Sequence, residues 1–162
     1  MRDVLIIGVA VAAAILLGAW LYFSDGSAKQ DMLPEAPFVV LDEGSNSGAV
    51  TERKNYRIKN QEELEALWLM VHGTGAPTSI DFGKNEVIAV FDGTHATGGY
   101  DISISAVDDS MPGARHVSIL HTEPGASCIT TDAITSPFQI IYLPKSAAPL
   151  TREDTTLVVD CQ

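Results

Sequence analysis

The feature that most restricts the fold of this chain is an uninterrupted run of 20 uncharged, mostly apolar residues at positions 4–23. A helix of that length extends about 30 Å, which is the hydrocarbon thickness of a bilayer. The run is longer than the apolar region of ~7–15 residues that is usual in signal peptides. Trp20 and Tyr22 lie at its end, where aromatic residues favour the membrane interface. Residues 1–23 are therefore predicted to form a transmembrane helix.

The residues that flank this run predict its orientation and its fate. Arg2 precedes the run and Lys29 follows it among acidic residues, so the positive-inside rule favours a cytoplasmic N-terminus only slightly. Residues 26–28 (Gly-Ser-Ala) are acceptable for signal-peptide cleavage, which leaves removal of the run as an alternative. We predict an uncleaved signal anchor in a single-pass membrane protein. A flexible linker at residues 24–46 would then carry an extracytoplasmic domain at residues 47–162.

The acidic charge of the chain argues against nucleic acid as a partner. Ten Lys and Arg residues oppose 21 Asp and Glu residues among the 162, giving a net charge of −11 at pH 7. Binding to phosphate backbones requires clustered basic residues, which the sequence lacks. Acidity of this size is otherwise typical of a soluble domain.

One segment after the linker has the pattern of an amphipathic helix. Asn60 is a good N-cap residue, and Glu63 follows it at the spacing of a capping box. Gly73 is suited to end the helix. Four apolar side chains fall on one helical stripe and are predicted to face the core: Leu64, Leu67, Trp68 and Val71.

The rest of the domain has the pattern of short β-strands. Residues 87–91 are apolar at every position and predict a central strand, whereas residues 100–105 alternate apolar and polar side chains and predict a half-buried strand. Further strands are predicted at residues 38–41, 56–58, 116–121, 138–143 and 156–160. The predicted class is α+β: an antiparallel β-sandwich or open barrel with one packed helix, preceded by the transmembrane helix.

Two cysteines allow a single intramolecular disulfide, between Cys128 and Cys161. In an exported domain this bond would tie the last strand to the sheet and contribute about 3–4 kcal/mol by the chain-entropy estimate. Two free thiols are the alternative. Neither cysteine belongs to a C-x-x-C redox motif.

The sequence carries little that indicates catalysis. Its four histidines form no H-x-H or H-E-x-x-H unit, and no P-loop or nucleophile-elbow motif is present. One alternative is a metal or acid–base site built from Asp92, His95 and Asp101, which lie close together in sequence. We predict no enzymatic activity, no catalytic residues, no cofactor and no metal.

The segment between two predicted strands, residues 93–100, has adjacent glycines that permit a positive φ or a close approach. It is interpreted as a hairpin turn or as a loop that faces a partner. The predicted partner-binding residues are Thr94, His95, Thr97, Gly98, Gly99 and Tyr100, with the turn at residues 135–137 as a possible addition.

The body of the chain resembles the PrcB C-terminal-domain family, named for a subunit of a surface protease complex. The resemblance follows the segment Thr97-Gly98-Gly99-Tyr100 and these other positions in order: 47–48, 55–58, 63–68, 81–82, 87–91, 93, 101–104, 124–125, 128, 135–138 and 143–145. At His95 and Ala96 the chain departs from the family, whose members commonly have a basic residue followed by proline.

The resemblance implies an exported or membrane-attached protein without catalytic residues, the family's named member being a non-catalytic partner of a protease. We therefore predict a membrane-anchored binding or assembly module for an unknown protein partner, such as a protease or another envelope complex. Residues 97–100 also resemble the Thr-Thr-Gly-Tyr loop of chagasin-type protease inhibitors, although Ile102 stands where those have tryptophan. A protease inhibitor that acts through this loop is the alternative.

Overall fold

The computed structural model describes residues 37–110 and 112–161. Its elements in chain order are β1 (Val39–Gly44), β2 (Lys54–Ile58), α1 (Gln61–His72), β3 (Asn85–Phe91), β4 (Asp101–Asp108), β5 (Arg115–Pro124), β6 (Phe138–Pro144) and β7 (Leu150–Val159). The predicted transmembrane helix at residues 1–23 lies outside the described residues. Within them, no helix combines the length and the apolar character that crossing a bilayer requires.

The described strands form two open sheets, so the sandwich is confirmed and the barrel is not. One sheet has four strands in the order β1-β6-β3-β2, and the other has three in the order β4-β5-β7. The prediction that all strands are antiparallel was wrong for one pair, since β5 and β7 run parallel. After β5 the chain crosses to the four-stranded sheet and forms β6. It then returns to the three-stranded sheet and forms β7, which runs in the same direction as β5.

Helix α1 is held at both ends by the residues that the sequence predicts. The Asn60 side chain accepts a hydrogen bond from the Glu63 amide (2.9 Å), and Gly73 ends the helix with φ +72°. The reciprocal bond differs from a standard capping box, because Glu63 accepts from the amide of Lys59 rather than from that of Asn60. Trp68 was predicted to lie in the core but is only partly buried, with its ring against His72.

Strand β3 is buried on both faces, which explains its lack of polar alternation. Val87, Ala89 and Phe91 pack with helix α1, whereas Ile88 and Val90 pack with the three-stranded sheet. The domain therefore has three layers, with the helix on one side of the four-stranded sheet and the second sheet on the other. This arrangement confirms β3 as a central strand.

The compact unit begins before residue 47, where the sequence suggests the start of the domain. Its first described strand, β1 (Val39–Gly44), pairs with β6. Strand β7 is also longer than the predicted strand at residues 156–160, since it starts at Leu150. Residues 150–155 are mostly polar and lie at a sheet edge, so they lack the alternation that reveals a half-buried strand.

A buried carboxylate joins the two sheets at the start of β3. Glu86 is fully buried and contacts Arg57 Nε (2.8 Å) from β2 and Arg115 Nη1 (2.6 Å) from β5. Arg115 also forms a two-pronged ion pair with Asp109, and this pair lowers the pKa of the Asp109 carboxyl. The guanidinium of Arg115 is thus held between one carboxylate from the core and one from the surface.

The core face of α1 gives a direct test of this packing. Leu64 is fully buried, so Leu64→Ala should lower the free energy of unfolding by about 2–5 kcal/mol through lost contacts and a residual cavity. Leu69 lies on the same helix with 53% exposure, so Leu69→Ala should change it by no more than ~0.5 kcal/mol. Urea denaturation of both variants measures the difference, and equal losses would contradict the described helix orientation.

Candidate interaction surface

The predicted partner-binding loop is fastened along its length to a second segment of the chain. We call residues 93–100 the Gly-Gly loop and residues 125–136 the disulfide segment. His95 and Thr135 exchange backbone hydrogen bonds of 2.8 and 3.0 Å, and the Gly98 amide donates to the Thr131 carbonyl (3.0 Å). The Thr135 hydroxyl donates to the Thr97 carbonyl (2.8 Å). The structure therefore brings the Gly-Gly loop and residue 135 together.

Beneath this loop lies a second buried carboxylate, that of Asp92 at the end of β3. Its side chain is 1% exposed, and one oxygen contacts both His121 Nδ1 and Arg53 Nη2 at 2.7 Å. The other oxygen contacts His95 Nε2, also at 2.7 Å. The His95 ring stacks in turn on Tyr100, with the centroids 3.8 Å apart. The two ends of the Gly-Gly loop are thus joined through one histidine.

His121 lies between two carboxylates, because its Nε2 atom contacts Asp154 Oδ1 of β7 at 3.1 Å. A carboxylate only accepts hydrogen bonds, so both contacts of His121 are hydrogen bonds only when its ring carries two N–H protons. His116 lies on the opposite face of β5 and contacts Thr151 instead. The odd spacing of the two histidines predicts this separation. The role of His121 was not predicted.

The structure brings together two members of the predicted Asp92, His95 and Asp101 cluster. Asp92 and His95 are hydrogen-bonded, whereas the described residues show no hydrogen bond from Asp101 to either. The described part of the chain also contains no group of three or more His, Cys, Asp or Glu side chains suited to a metal ion. Both oxygens of Asp92 already contact protein donors. The geometry is that of a structural tie which holds the loop.

The adjacent glycines are explained by close packing between the loop and its neighbours. A Cβ atom on Gly98 would collide with the Thr131 hydroxyl. Gly99 has φ +93°, and a Cβ atom there would lie 3.1 Å from the Pro124 side chain. Both positions need glycine for the loop to lie against the disulfide segment. The two glycines therefore position the loop, whether or not they contact a partner.

The predicted partner-binding residues differ widely in exposure. Thr94 and Gly99 are exposed and Gly98 is buried, while the other three predicted residues (His95, Thr97 and Tyr100) are partly buried. The loop by itself therefore offers few side chains to a partner. The sequence prediction of a contact site here remains a prediction.

The most exposed large apolar side chains near the loop are on the disulfide segment. Ile129 is 101% exposed and Ile134 is 77% exposed. Sequence reasoning missed both, because isolated isoleucines in a segment without periodicity give no signal of exposure. The available signals were the position of Ile129 next to Cys128 and the lack of any helix or strand pattern in the stretch that contains both.

The disulfide between Cys128 and Cys161 is confirmed, and it holds the exposed segment in place. It connects the residue before Ile129 to the end of β7. A groove of about 310 Å³ lies beside the bond, and its lining includes Gly99, Pro124 and Val159. The projecting side chain of Ile129 and the adjacent groove are thus held in place by the disulfide and by the hydrogen bonds to the Gly-Gly loop. We call the projection and the groove the candidate interaction surface.

Asp101 follows the Gly-Gly loop, and its environment predicts a pH effect. Although the residue as a whole is exposed, desolvation raises the pKa of its carboxyl; the hydrogen bond from the Ile102 backbone opposes this rise, and the negative charges of Glu43 and Asp92 add to it. A raised folded-state pKa means that ionised Asp101 opposes folding once the pH exceeds that pKa. Asp101→Asn should therefore raise the melting temperature at pH 7 and have little effect at a pH where aspartate is protonated. A stabilisation that is equal at both pH values would contradict this.

The contact between Gly98 and Thr131 gives a paired test of loop packing. Gly98→Ala should destabilise the domain because its methyl group meets the Thr131 hydroxyl. Adding Thr131→Ala removes that hydroxyl and should restore part of the loss, so the two changes should not be additive. Melting temperatures of the two single variants and the double variant give the coupling. Strict additivity would show that the segments do not pack as described.

Comparison with known proteins agrees with the resemblance predicted from the sequence. Residues 87–144 match the model of the family described as PrcB C-terminal. The match extends from β3 to the end of β6, so it includes the Gly-Gly loop, Cys128 and the exposed isoleucines. The predicted resemblance to this family is thus confirmed for this part of the chain. No curated protein and no solved structure matches the chain.

Proposed function

From the place of residues 87–144 in the PrcB C-terminal family, we propose that this chain is a non-catalytic binding or assembly module of a protease-associated complex. The family match supports association with a protease complex. We further propose that residues 1–23 anchor the chain in a membrane and that the domain lies outside the cytoplasm. The identity of the partner is not part of the proposal.

The observation that carries the proposal is the exposure of Ile129 on a segment that the disulfide and backbone hydrogen bonds hold in place. Burial of one isoleucine side chain contributes about 1.5–3 kcal/mol to association. The segment is ordered by the disulfide and by its bonds to the Gly-Gly loop, so little conformational entropy is lost on binding. A rigid apolar projection is the kind of contact that dominates interface energies when a partner supplies a pocket.

The disulfide supports the proposed location. Disulfides form and persist in oxidising compartments and are rare in the cytosol. Cys128 and Cys161 are joined in the structure, and their positions fit a domain exposed to such a compartment. Anchoring would raise the effective concentration of the domain near a membrane-bound partner without any additional contact.

A role in assembly also fits the use that the fold makes of its polar residues. Asp92, His95 and His121 are residue types that also occur in catalytic sites. Here their polar atoms are already hydrogen-bonded to other side chains of the domain. Catalytic groups need a reacting atom of the substrate within hydrogen-bond reach. We infer that this cluster positions the Gly-Gly loop.

The inhibitor alternative rests on residues 97–100 and receives less support from the geometry. Gly98 is buried against Thr131, and Tyr100 stacks on His95. An inhibitory loop must present side chains to the protease cleft. A panel of cysteine and serine proteases, assayed with the chain and with its Thr97→Ala variant, would detect inhibition and show whether it depends on this loop.

A photo-crosslinking experiment tests the proposed surface on native membranes. A photoreactive amino acid replaces Ile129 in the full-length chain, and Leu69 is replaced in a matched control because it is exposed on helix α1. Position 129 should give a discrete adduct that contains a protease-complex subunit, and position 69 should not. The same adducts from both positions, or none from either, would count against the proposal.

The strength of the contact can be measured once the adduct is identified. Ile129→Ser combined with Ile134→Ser should weaken co-purification of that subunit by tenfold or more, since each tenfold corresponds to about 1.4 kcal/mol. Both side chains are exposed, so the melting temperature should hardly change. Unchanged co-purification would exclude the two isoleucines as anchors.

A further inference from the structure

We propose that the edge of β7 that no described strand covers binds an extended, basic segment of a partner protein by strand addition. This inference concerns a different element from the candidate interaction surface and goes beyond the proposed function. In strand addition, main-chain hydrogen bonds supply affinity, and the alternating side chains supply specificity.

The edge of β7 differs from the three other strand edges of the described sandwich. Strand β1 has a register irregularity between Val40 and Asp42, β4 has one between Ile104 and Ala106, and β2 has only five residues. Such bulges and short lengths are the devices by which proteins prevent unwanted strand pairing. Strand β7 has ten residues and pairs with β5 in continuous register. It contains no proline and no lysine.

The register identifies which backbone groups of β7 are available. The carbonyls of Pro149 and Val159 accept hydrogen bonds from Arg115 and Gly125, so odd-numbered residues direct their backbone groups toward β5. In a regular strand the even-numbered residues direct theirs the other way. The backbone groups of Arg152, Asp154, Thr156 and Val158 therefore face the edge that no described strand covers.

The side chains of β7 are also accessible along the strand. All residues of β7 after Leu150 are exposed, and the C-terminal end of the strand carries three consecutive apolar residues. Their exposed fractions are 49% for Leu157, 57% for Val158 and 44% for Val159. An added strand would cover these apolar side chains and would also form hydrogen bonds with the outward-facing backbone groups of β7.

The acidic charge of β7 and of the whole chain indicates which class of partner would bind at the β7 edge. Strand β7 and the residue after it carry three acidic groups (Glu153, Asp154 and Asp160) against Arg152, whose Nε lies 3.2 Å from Asp154. The whole chain has a net charge of −11. A second copy would bring like charges together, whereas a partner segment that carries lysine or arginine would be attracted. The structure therefore favours a partner strand of alternating apolar and basic residues over self-pairing.

Hydrogen–deuterium exchange on the full-length chain in detergent tests the proposal with a defined probe. The probe is a ten-residue peptide that alternates valine with lysine, and the control alternates valine with glutamate. The lysine peptide should slow exchange at the amides of Arg152, Asp154, Thr156 and Val158, and the glutamate peptide should not. Equal protection by both peptides, or protection confined to other strands, would overturn the proposal.

A pair of proline variants tests the direction of the edge. Thr156→Pro removes an amide that faces outward, so it should abolish protection by the lysine peptide and leave most of the stability, as proline is tolerated at such edge positions. Thr155→Pro removes an amide that faces β5 and should destabilise the domain. Retained protection in Thr156→Pro would contradict the proposal. If this variant fails to fold, Val158→Lys replaces it and should weaken binding of the lysine peptide through repulsion.

Two further readouts separate this proposal from others. Ile129→Ser combined with Ile134→Ser should leave peptide protection at β7 unchanged, so failure of the proposed function and failure of this inference are distinguishable. Sedimentation of the chain without peptide should show no dimer that depends on β7. A dimer that Thr156→Pro dissociates would show that a second copy occupies the edge, and would overturn the choice of a basic partner.

Discussion

The whole sandwich depends on the face that β3 and β5 share between the two sheets. On β3 the residues that face β5 are Glu86, Ile88, Val90 and Asp92, the last just past the strand end. On β5 the residues that face β3 are Arg115, Val117, Ile119 and His121. Apolar side chains fill the middle, and a buried polar contact closes each end: the ion pair of Glu86 with Arg115 and the hydrogen bond between Asp92 and His121.

This arrangement fixes the position of one sheet on the other more than it adds stability. Buried ion pairs are often no more stabilising than well-packed apolar groups, because desolvation offsets their attraction. Removing one partner is costly, since the remaining charge stays buried. A shift of β5 by two residues along β3 would separate Glu86 from Arg115 and Asp92 from His121 at once. The apolar residues alone impose no such requirement, so the two polar contacts select a single arrangement.

The same constraint explains which features the sequence could predict. Helix α1 and strand β3 were recognisable because capping residues and burial on both faces leave local patterns. The packing of β3 on β5 across the sandwich leaves no local pattern, because only the fold brings Glu86 to Arg115 and Asp92 to His121. The sequence therefore does not reveal the roles of Glu86 and His121. The parallel course of β7 left no local pattern, because its polar, exposed residues depend on the path of the chain between sheets.

The candidate surface was predictable in part for a similar reason. Adjacent glycines indicate a close approach, and the resemblance pointed to the loop that contains them. The partner of that approach is Thr131, more than 30 residues away, and only the fold brings it to Gly98. The exposure of Ile129 is likewise a property of the assembled segment, in which the disulfide and Thr135 hold the backbone.

The exposure of Ile129 and the immobilisation of its backbone are linked. A fully exposed isoleucine on a mobile chain would lose much of its binding energy to ordering, whereas Ile129 follows a disulfide-bonded cysteine. The hydrogen bonds from His95 to Asp92 and Thr135 connect that segment to the end of β3. The buried carboxylate that positions the two sheets therefore also positions the projecting side chain. In physical terms, the rigidity that makes the surface suitable for binding originates in the core contact on which the sandwich depends.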